Sequence, residues 1–174
     1  HIQSWKYFAS AKTLTSCGTL AAVALPVGVK VLPLKPHDDP RGRLTEIYRA
    51  SWNLGPPPLQ WNLVRSEAKV VRGVHVHVVH VDFWLLVGGR ATLGLRDLRK
   101  NSPTFGLPCI VSVFANTPEL IVIPTGVAHG FQFHEPSVHV YAVTDYWSAS
   151  DELGCLWNDP ALEIAWPEPL AVLS

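Results

Sequence analysis

Half of the eight histidines fall in two short segments. His75 and His77 are two residues apart, so on an extended strand both imidazoles leave one face while Val74, Val76 and Val78 leave the other. His80 and Asp82 follow, and a second segment, Pro124-x-Gly126-x-x-His129, carries a further imidazole. Imidazoles and carboxylates can ligate a transition metal or, without one, accept and return protons near pH 7. Either use requires partners, because burying an unpaired polar group is costly. His139 and Tyr141 repeat the two-residue spacing, which puts a phenol on the same strand face as an imidazole.

The elements that must position these side chains read as strands. Apolar or alternating runs recur about every ten residues between turn signals. They cover 27–34, 44–48, 59–64, 70–87, 91–98, 110–114, 120–123, 130–133 and 138–143. His37-Asp38-Asp39-Pro40 reads as a polar turn and Gly55-Pro56-Pro57-Pro58 as a loop, while the tail after Ser148 reads as irregular with a short helical turn. The run 70–87 exceeds the roughly 3–10 residues of an ordinary strand, so a turn or bulge must interrupt it. No Gly, Pro or Asn between Val74 and Val87 marks the place. There are no alternating βα units and no long amphipathic helix, which leaves an all-β sandwich or barrel, with a double-sheet jelly roll as the expected architecture. The expected organisation is an N-terminal arm over 1–25 and one domain over 26–174.

Composition narrows the function classes. Lys and Arg number 14 against 14 Asp and Glu, so zero net charge speaks against a nucleic-acid partner held by bulk charge. Apolar residues make up 48% and charged ones 16%, which excludes disorder. No run approaches the ~18 apolar residues of a membrane span, so no membrane partner is expected. Cys17, Cys109 and Cys155 are too scattered for a disulfide framework and read as free thiols in a reducing compartment, the cytoplasm. Lys6, Lys12 and the run 20–24 loosely imitate a secretory signal, but Gly18 and several Thr and Ser residues interrupt it. The sequence starts at His1 without any methionine, and its first segment is expected to be an arm docked on a partner subunit.

His75-x-His77, four residues, Asp82, six residues, Gly89, followed by Pro124-x-Gly126-x-x-His129, resembles the paired metal motifs of cupins, with Asp in place of the usual Glu. That resemblance implies one divalent transition metal on His75, His77, Asp82 and His129, with positions left open for substrate. A longer ordered set is more specific. Asp39-x-Arg41-Gly42-x-x-x-Glu46, Gln60-x-Asn62, Arg72-Gly73-Val74-His75, Asp97-Leu98-Arg99 through Phe105-Gly106, Ala128-His129-Gly130-Phe131, Trp157-Asn158-Asp159-Pro160 and Ile164-x-Trp166-Pro167 occur in that order. From about Pro26 to the end, the chain resembles the dTDP-4-dehydrorhamnose 3,5-epimerase family.

The resemblance implies a cupin-type jelly roll, a homodimer, and a nucleotide-linked 4-keto-6-deoxy hexose, with dTDP the expected nucleotide, handled without metal or other cofactor. His75 corresponds to the base that removes a proton alpha to the C4 ketone, and Tyr141 to the acid on the opposite face of the sugar. Arg41, Glu46, Gln60, Asn62, Arg72 and His129 correspond to substrate-site positions. An arginine fork suits a diphosphate. Asp97 to Gly106 carries structural weight only.

The match breaks after the base. The family's enolate-steadying lysine falls on Asp82, and a carboxylate serves an oxyanion only if protonated or holding a metal. The family's aspartate that orients the base follows a Leu-Ser pair, and with the sequence ending at Leu173-Ser174 it is expected to be absent or to lie in a part not given, while a second tyrosine position holds Trp147. His77 or His80 standing in for the lysine, or Asp82 for the aspartate, are the available substitutions. The Arg-Gly-x-His-x-His string also resembles sugar 3,4-ketoisomerases. Three readings remain: an epimerase or related isomerase, a metal-dependent cupin enzyme, and a sugar-nucleotide-binding protein whose catalytic set has decayed.

Overall fold

The computed structural model describes residues 24–167 in full, and the backbone of three further short strands outside them. Most of the expected N-terminal arm, including Cys17, lies outside the described residues.

In chain order the strands are β1 (Lys12–Leu14), β2 (Leu20–Ala22), β3 (Lys30–Pro33), β4 (Pro36–Asp39), β5 (Gly42–Thr45), β6 (Gln60–Ser66), β7 (Val70–Val76) and β8 (Asp82–Gly88). They continue with β9 (Arg90–Asp97), β10 (Pro108–Phe114), β11 (Glu119–Ile123), β12 (Val127–Phe133), β13 (Ser137–Val143), β14 (Leu153–Gly154) and β15 (Val172–Leu173). One sheet runs β10-β9-β12-β7-β14, with β15 parallel beside β7, and the other runs β3-β11-β8-β13-β6. All other pairings are antiparallel, so the jelly roll expected from the sequence is the architecture found.

Alternation places Trp84 and Leu86 of β8, Leu93 and Leu95 of β9, Ile121 and Ile123 of β11, and Phe131 and Phe133 of β12 in one core. β8 nevertheless reads as an unbroken apolar run, because both its faces are covered. Phe83 and Leu85 pack with Leu120 and Val122 under Tyr48, Trp52 and Leu54. Outside the other sheet, Val74 and Ala128 lie under Leu162, Ile164 and Trp166. Gly94 makes that approach possible, since a Cβ there would stand 2.7 Å from both Ile164 and Trp166. The Trp166 indole N–H donates to the Trp157 carbonyl at 2.9 Å, so the family-like tail motif is a cover for the sheet.

One local reading is corrected, and the interruption expected in the run 70–87 is located. His37 to Asp39 belongs to β4, which forms a hairpin with β5 that turns at Pro40-Arg41. Most of its residues are exposed and its Arg43–Asp38 pair is a surface one at 2.6 Å, so no apolar alternation exists to reveal it. The run 70–87 breaks at 77–81, between β7 and β8, without turn residues. A remote carboxylate does their work: Asp151 accepts the amides of Val78 at 2.8 Å, Val79 at 3.2 Å and His80 at 3.4 Å. The short helical turn expected in the tail is the 3-10 turn Pro160–Leu162, capped by Asp159.

Candidate active site

A cavity of about 300 Å³ opens between the sheets. Arg72, His75, His129 and Phe131 reach it from β7 and β12, and Val64, Asp82, Trp84, His139, Tyr141 and Val143 from β6, β8 and β13. His77, His80, Trp147 and Glu152 complete the wall from connecting segments. Arg72 and His75 are three apart and would leave opposite faces of a regular strand. The β7–β12 register shifts at His129/Gly130, where His75 faces His129 and Gly73 faces Gly130 with Val74 extra. That bulge re-aims the strand so that both side chains enter one cavity.

Three imidazoles are fixed by what their Nδ1 atoms touch. His77 Nδ1 lies 3.1 Å from the Asp151 carbonyl and His129 Nδ1 3.1 Å from the Val127 carbonyl. A carbonyl only accepts, so each Nδ1 is the donor in these contacts. His80 Nδ1 lies 2.9 Å from the Asp151 carboxylate. The three Nε2 atoms surround Asp82 at 3.8 Å (His77), 3.7 Å (His80) and 3.7 Å (His129). The ring of His75 makes no hydrogen bond among the described residues.

Burial sets the proton affinities. Desolvation holds His75 below the ordinary imidazole value, against the opposing charge of Glu152, so it stands ready as a free base. Burial also pushes the Tyr141 phenol up, keeping it protonated. His129 is depressed by burial, and His139 falls to about 4 for the same reason. His80 runs the other way: burial pulls it down, but Asp82, Asp151 and Glu152 together hold it above its ordinary value.

Among the residues expected at the site, His75, His77, Asp82, His129, Tyr141 and Arg72 therefore meet in one cavity. Arg72 is held by Ser66 Oγ at 2.9 Å and the Arg65 carbonyl at 3.2 Å. Gln60 and Asn62 alternate with Val64 onto the same face of β6, outside the wall itself, where the Gln60 amide oxygen accepts the Trp147 N–H at 3.0 Å. Arg41 and Glu46 are not at this cavity. The Arg41 side chain is 90% exposed and paired with Asp39, and Glu46 is paired with Arg49.

The metal quartet implied by the cupin motif is not one cluster either. Potential ligand atoms converge in two overlapping groups, His75-His77-Glu152 and His77-His80-Asp82. Asp151 and Glu152 were invisible to spacing: they sit in a tail without periodicity, and Asp151 acts on residues more than seventy positions away.

A two-sheet antiparallel roll whose interior holds an unprotonated imidazole, a protonated phenol and an arginine defines a cupin-type enzyme of proton transfer. The chain belongs to the dTDP-4-dehydrorhamnose 3,5-epimerase family, a family of sugar-nucleotide epimerases, whose profile matches residues 24–174. It is 32% identical over 143 residues to the spore coat polysaccharide biosynthesis protein SpsL of Bacillus subtilis, covering 80% of this chain and 95% of that protein. Identity with the dTDP-4-dehydrorhamnose 3,5-epimerase of Neisseria gonorrhoeae is 34% over 157 residues, covering 86% of this chain but 48% of that longer protein. The crystal structure of the Bacillus anthracis dTDP-4-dehydrorhamnose 3,5-epimerase with TDP and pyrophosphate bound is 32% identical and superposes with a TM-score of 0.78, covering 84% of this chain and 89% of that one. The Legionella pneumophila enzyme in complex with dTDP-4-keto-L-rhamnose is 30% identical with a TM-score of 0.78, covering 84% and 83%.

Proposed function

We propose that this chain epimerises a dTDP-linked 4-keto-6-deoxy hexose by proton transfer alpha to the C4 ketone. The observation that carries the reading is that His75 and Tyr141 enter one cavity from opposite sheets, the first held unprotonated and the second protonated by burial. Neutral His75 takes the proton from a carbon beside the ketone; the C–H electron pair moves into the ring bond and the carbonyl pair onto O4, giving an enolate. Tyr141 delivers a proton to the other face as the carbonyl re-forms. His75 then releases its proton to solvent and Tyr141 regains one, so the catalyst is restored without oxidant or reductant. Arg72 supplies a cation for the diphosphate.

We further infer a homodimer. Arg41 and Glu46 lie on and beside an exposed hairpin away from their own cavity, so their place in the family motif is served if that hairpin reaches the cavity of a second copy. The free thiols Cys109 and Cys155 suit the reducing cytoplasm. The reading is tested by incubation with dTDP-4-keto-6-deoxyglucose in D₂O. Deuterium at C3, C5 or both is expected, and His75→Ala should slow its incorporation by about 10²–10⁴-fold. Absence of exchange with 4-keto sugars sinks the reading, while migration of the carbonyl to C3 would identify a ketoisomerase instead.

A further inference from the structure

His75 makes no hydrogen bond among the described residues, yet the fold delivers a carboxylate to its side. β14 pairs with β7 so that Gly154 faces His75 and Leu153 faces Val76. One step further along that register Glu152 comes opposite His77, and the period of two puts it on the face from which His75 and His77 project. Gly154 brings no side chain to that face, which leaves the space beside His75 to Glu152. The segment is tied down around this point. The Asp151 carboxylate accepts the amides of Val78 and His80, and the Cys155 amide donates to the Val74 carbonyl at 3.0 Å.

One carboxylate oxygen of Glu152, one ring nitrogen of His75 and one of His77 all lie within 4.8 Å of one another. Trp147 aims that carboxylate, since its indole N–H donates to Glu152 Oε1 at 2.8 Å. Titratable and charged groups surround His75 from every neighbouring element: Arg72 of β7, His77 just beyond it, Asp82 of β8, His129 of β12, Tyr141 of β13 and Glu152. Burial lowers the proton affinity of His75, and among the charges Glu152 acts on it first, ahead of His77, Asp82 and Arg72. Asp82 is the other carboxylate in the wall. Its oxygens lie 3.7–3.8 Å from the Nε2 atoms of His77, His80 and His129, so it belongs with those imidazoles.

We infer that Glu152 is the positioning residue of the base: held by Trp147, its carboxylate orients the His75 ring and receives the positive charge that the ring acquires with the sugar proton. The inference rests on the epimerase reading, in which His75 takes that proton. A neutral ring needs no counter-charge, so the pair stands open at rest, and catalytic contacts of this kind tighten when the reacting complex forms. Once the C–H proton is on His75, imidazolium and carboxylate attract each other, which stabilises the charged ring against the burial that disfavours it. Glu152 neither takes nor gives the proton and acts on the sugar only through His75.

The experiment compares the full chain with Glu152→Gln, whose amide oxygen still accepts the Trp147 N–H, so that the charge is removed and the segment kept. Circular dichroism verifies the fold. Deuterium exchange into dTDP-4-keto-6-deoxyglucose is measured across the range in which imidazoles titrate. In Glu152→Gln kcat should fall by about 10²-fold with KM within about threefold. The acid limb of the profile should move to lower pH, because the ring loses the charge that favours its protonated form. Glu152→Asp, which keeps the charge, should hold the limb nearer its original place. An unchanged kcat and an unmoved limb would overturn the inference and leave the epimerase reading intact. A raised KM with kcat and limb unchanged would also overturn it, by making Glu152 a contact of the sugar itself. If the unsubstituted chain exchanges no 4-keto sugar, the epimerase reading fails and the positioning role with it. The pairing is then decided by NMR titration of the His75 ring: a lower midpoint in Glu152→Gln upholds it, and an equal midpoint overturns it too.

Discussion

The turn that follows β9 and the turn that precedes β8 are each held by a buried aspartate. Asp97 accepts the Arg99 amide at 3.0 Å, the Arg99 guanidinium at 2.8 and 2.7 Å, and the hydroxyls of Ser102 and Thr104 at 2.6 Å each. Every partner lies within seven residues, and hydrogen bonds from Arg99 first of all hold its carboxyl far below the carboxylate range. Asp151 accepts three amides, but its ionisable partner is the imidazole of His80, whose other nitrogen faces Asp82 in the cavity. A permanent cation closes the first network upon itself. The titratable ring in the second passes the interaction onward into a polar cavity, and that open end is what makes one turn structural and the other part of a site.

The sharpest separation of the two regions comes from His75→Ala, just before the second turn. Removal of a general base costs about 10²–10⁴ in rate. Exchange into the 4-keto sugar should fall by that factor with the unfolding midpoint nearly unchanged, because the ring makes no hydrogen bond among the described residues. A large loss of stability would place His75 among the structural groups and break the contrast.

Asp97→Ala should behave in the opposite way. It strands Arg99 and two hydroxyls around a fully buried position, and breaking a buried ion pair costs roughly 3–5 kcal/mol. Urea unfolding should show that loss, while exchange per folded molecule stays within about twofold. Equal losses of stability and rate would show the first turn coupled to the cavity.

These two turns also mark how far the sequence could be read. Asp97, Arg99, Ser102 and Thr104 are neighbours in the chain, so their turn and its structural character are legible from residue types. The jelly roll was legible too, from strand runs and turn signals, as was the meeting of His75, Arg72 and Tyr141 in one cavity, the first two from an ordered motif and the third from its two-residue spacing to His139 and its place in the family resemblance. The break at 77–81 was not, because the residue that makes it, Asp151, comes from a tail with no periodicity. The β4–β5 hairpin escaped because its exposed strands carry no apolar alternation. The position of Arg41 outside its own cavity is a matter of tertiary placement that spacing does not encode.

A third imidazole sharpens the comparison through what it lacks. His139 is 3% exposed, stacked on Phe133 with ring centres 5.2 Å apart, and its Nδ1 has no hydrogen-bond partner among the described residues. Where carboxylates hold His80 up, burial depresses His139 to about 4. The unfolded chain binds this proton near pH 6.5 and the folded one does not, so stability present above pH 6.5 is lost as pH falls toward 4. The gap corresponds to about 3 kcal/mol. His139→Leu should remove that share of the acid sensitivity in urea titrations at pH 7 and pH 4, and an unchanged pH dependence would show the ring protonated in the fold.

Asp151→Asn tests the second turn itself, with the smallest expected change. The amide keeps one oxygen for the amides of Val78 and Val79, so the turn should survive with a loss of about 1–2 kcal/mol, less than for Asp97→Ala. What it cannot keep is the charge-assisted contact at His80 Nδ1, since the amide NH2 then stands where the carboxylate oxygen lay 2.9 Å from that nitrogen and cannot accept its proton. The ring should therefore titrate at a lower pH than in the unsubstituted protein, a shift readable by NMR of the imidazole carbons in metal-free protein. A ring that titrates unchanged would mean that Asp82 alone governs it, and the link between the turn and the cavity would then be steric and not electrostatic.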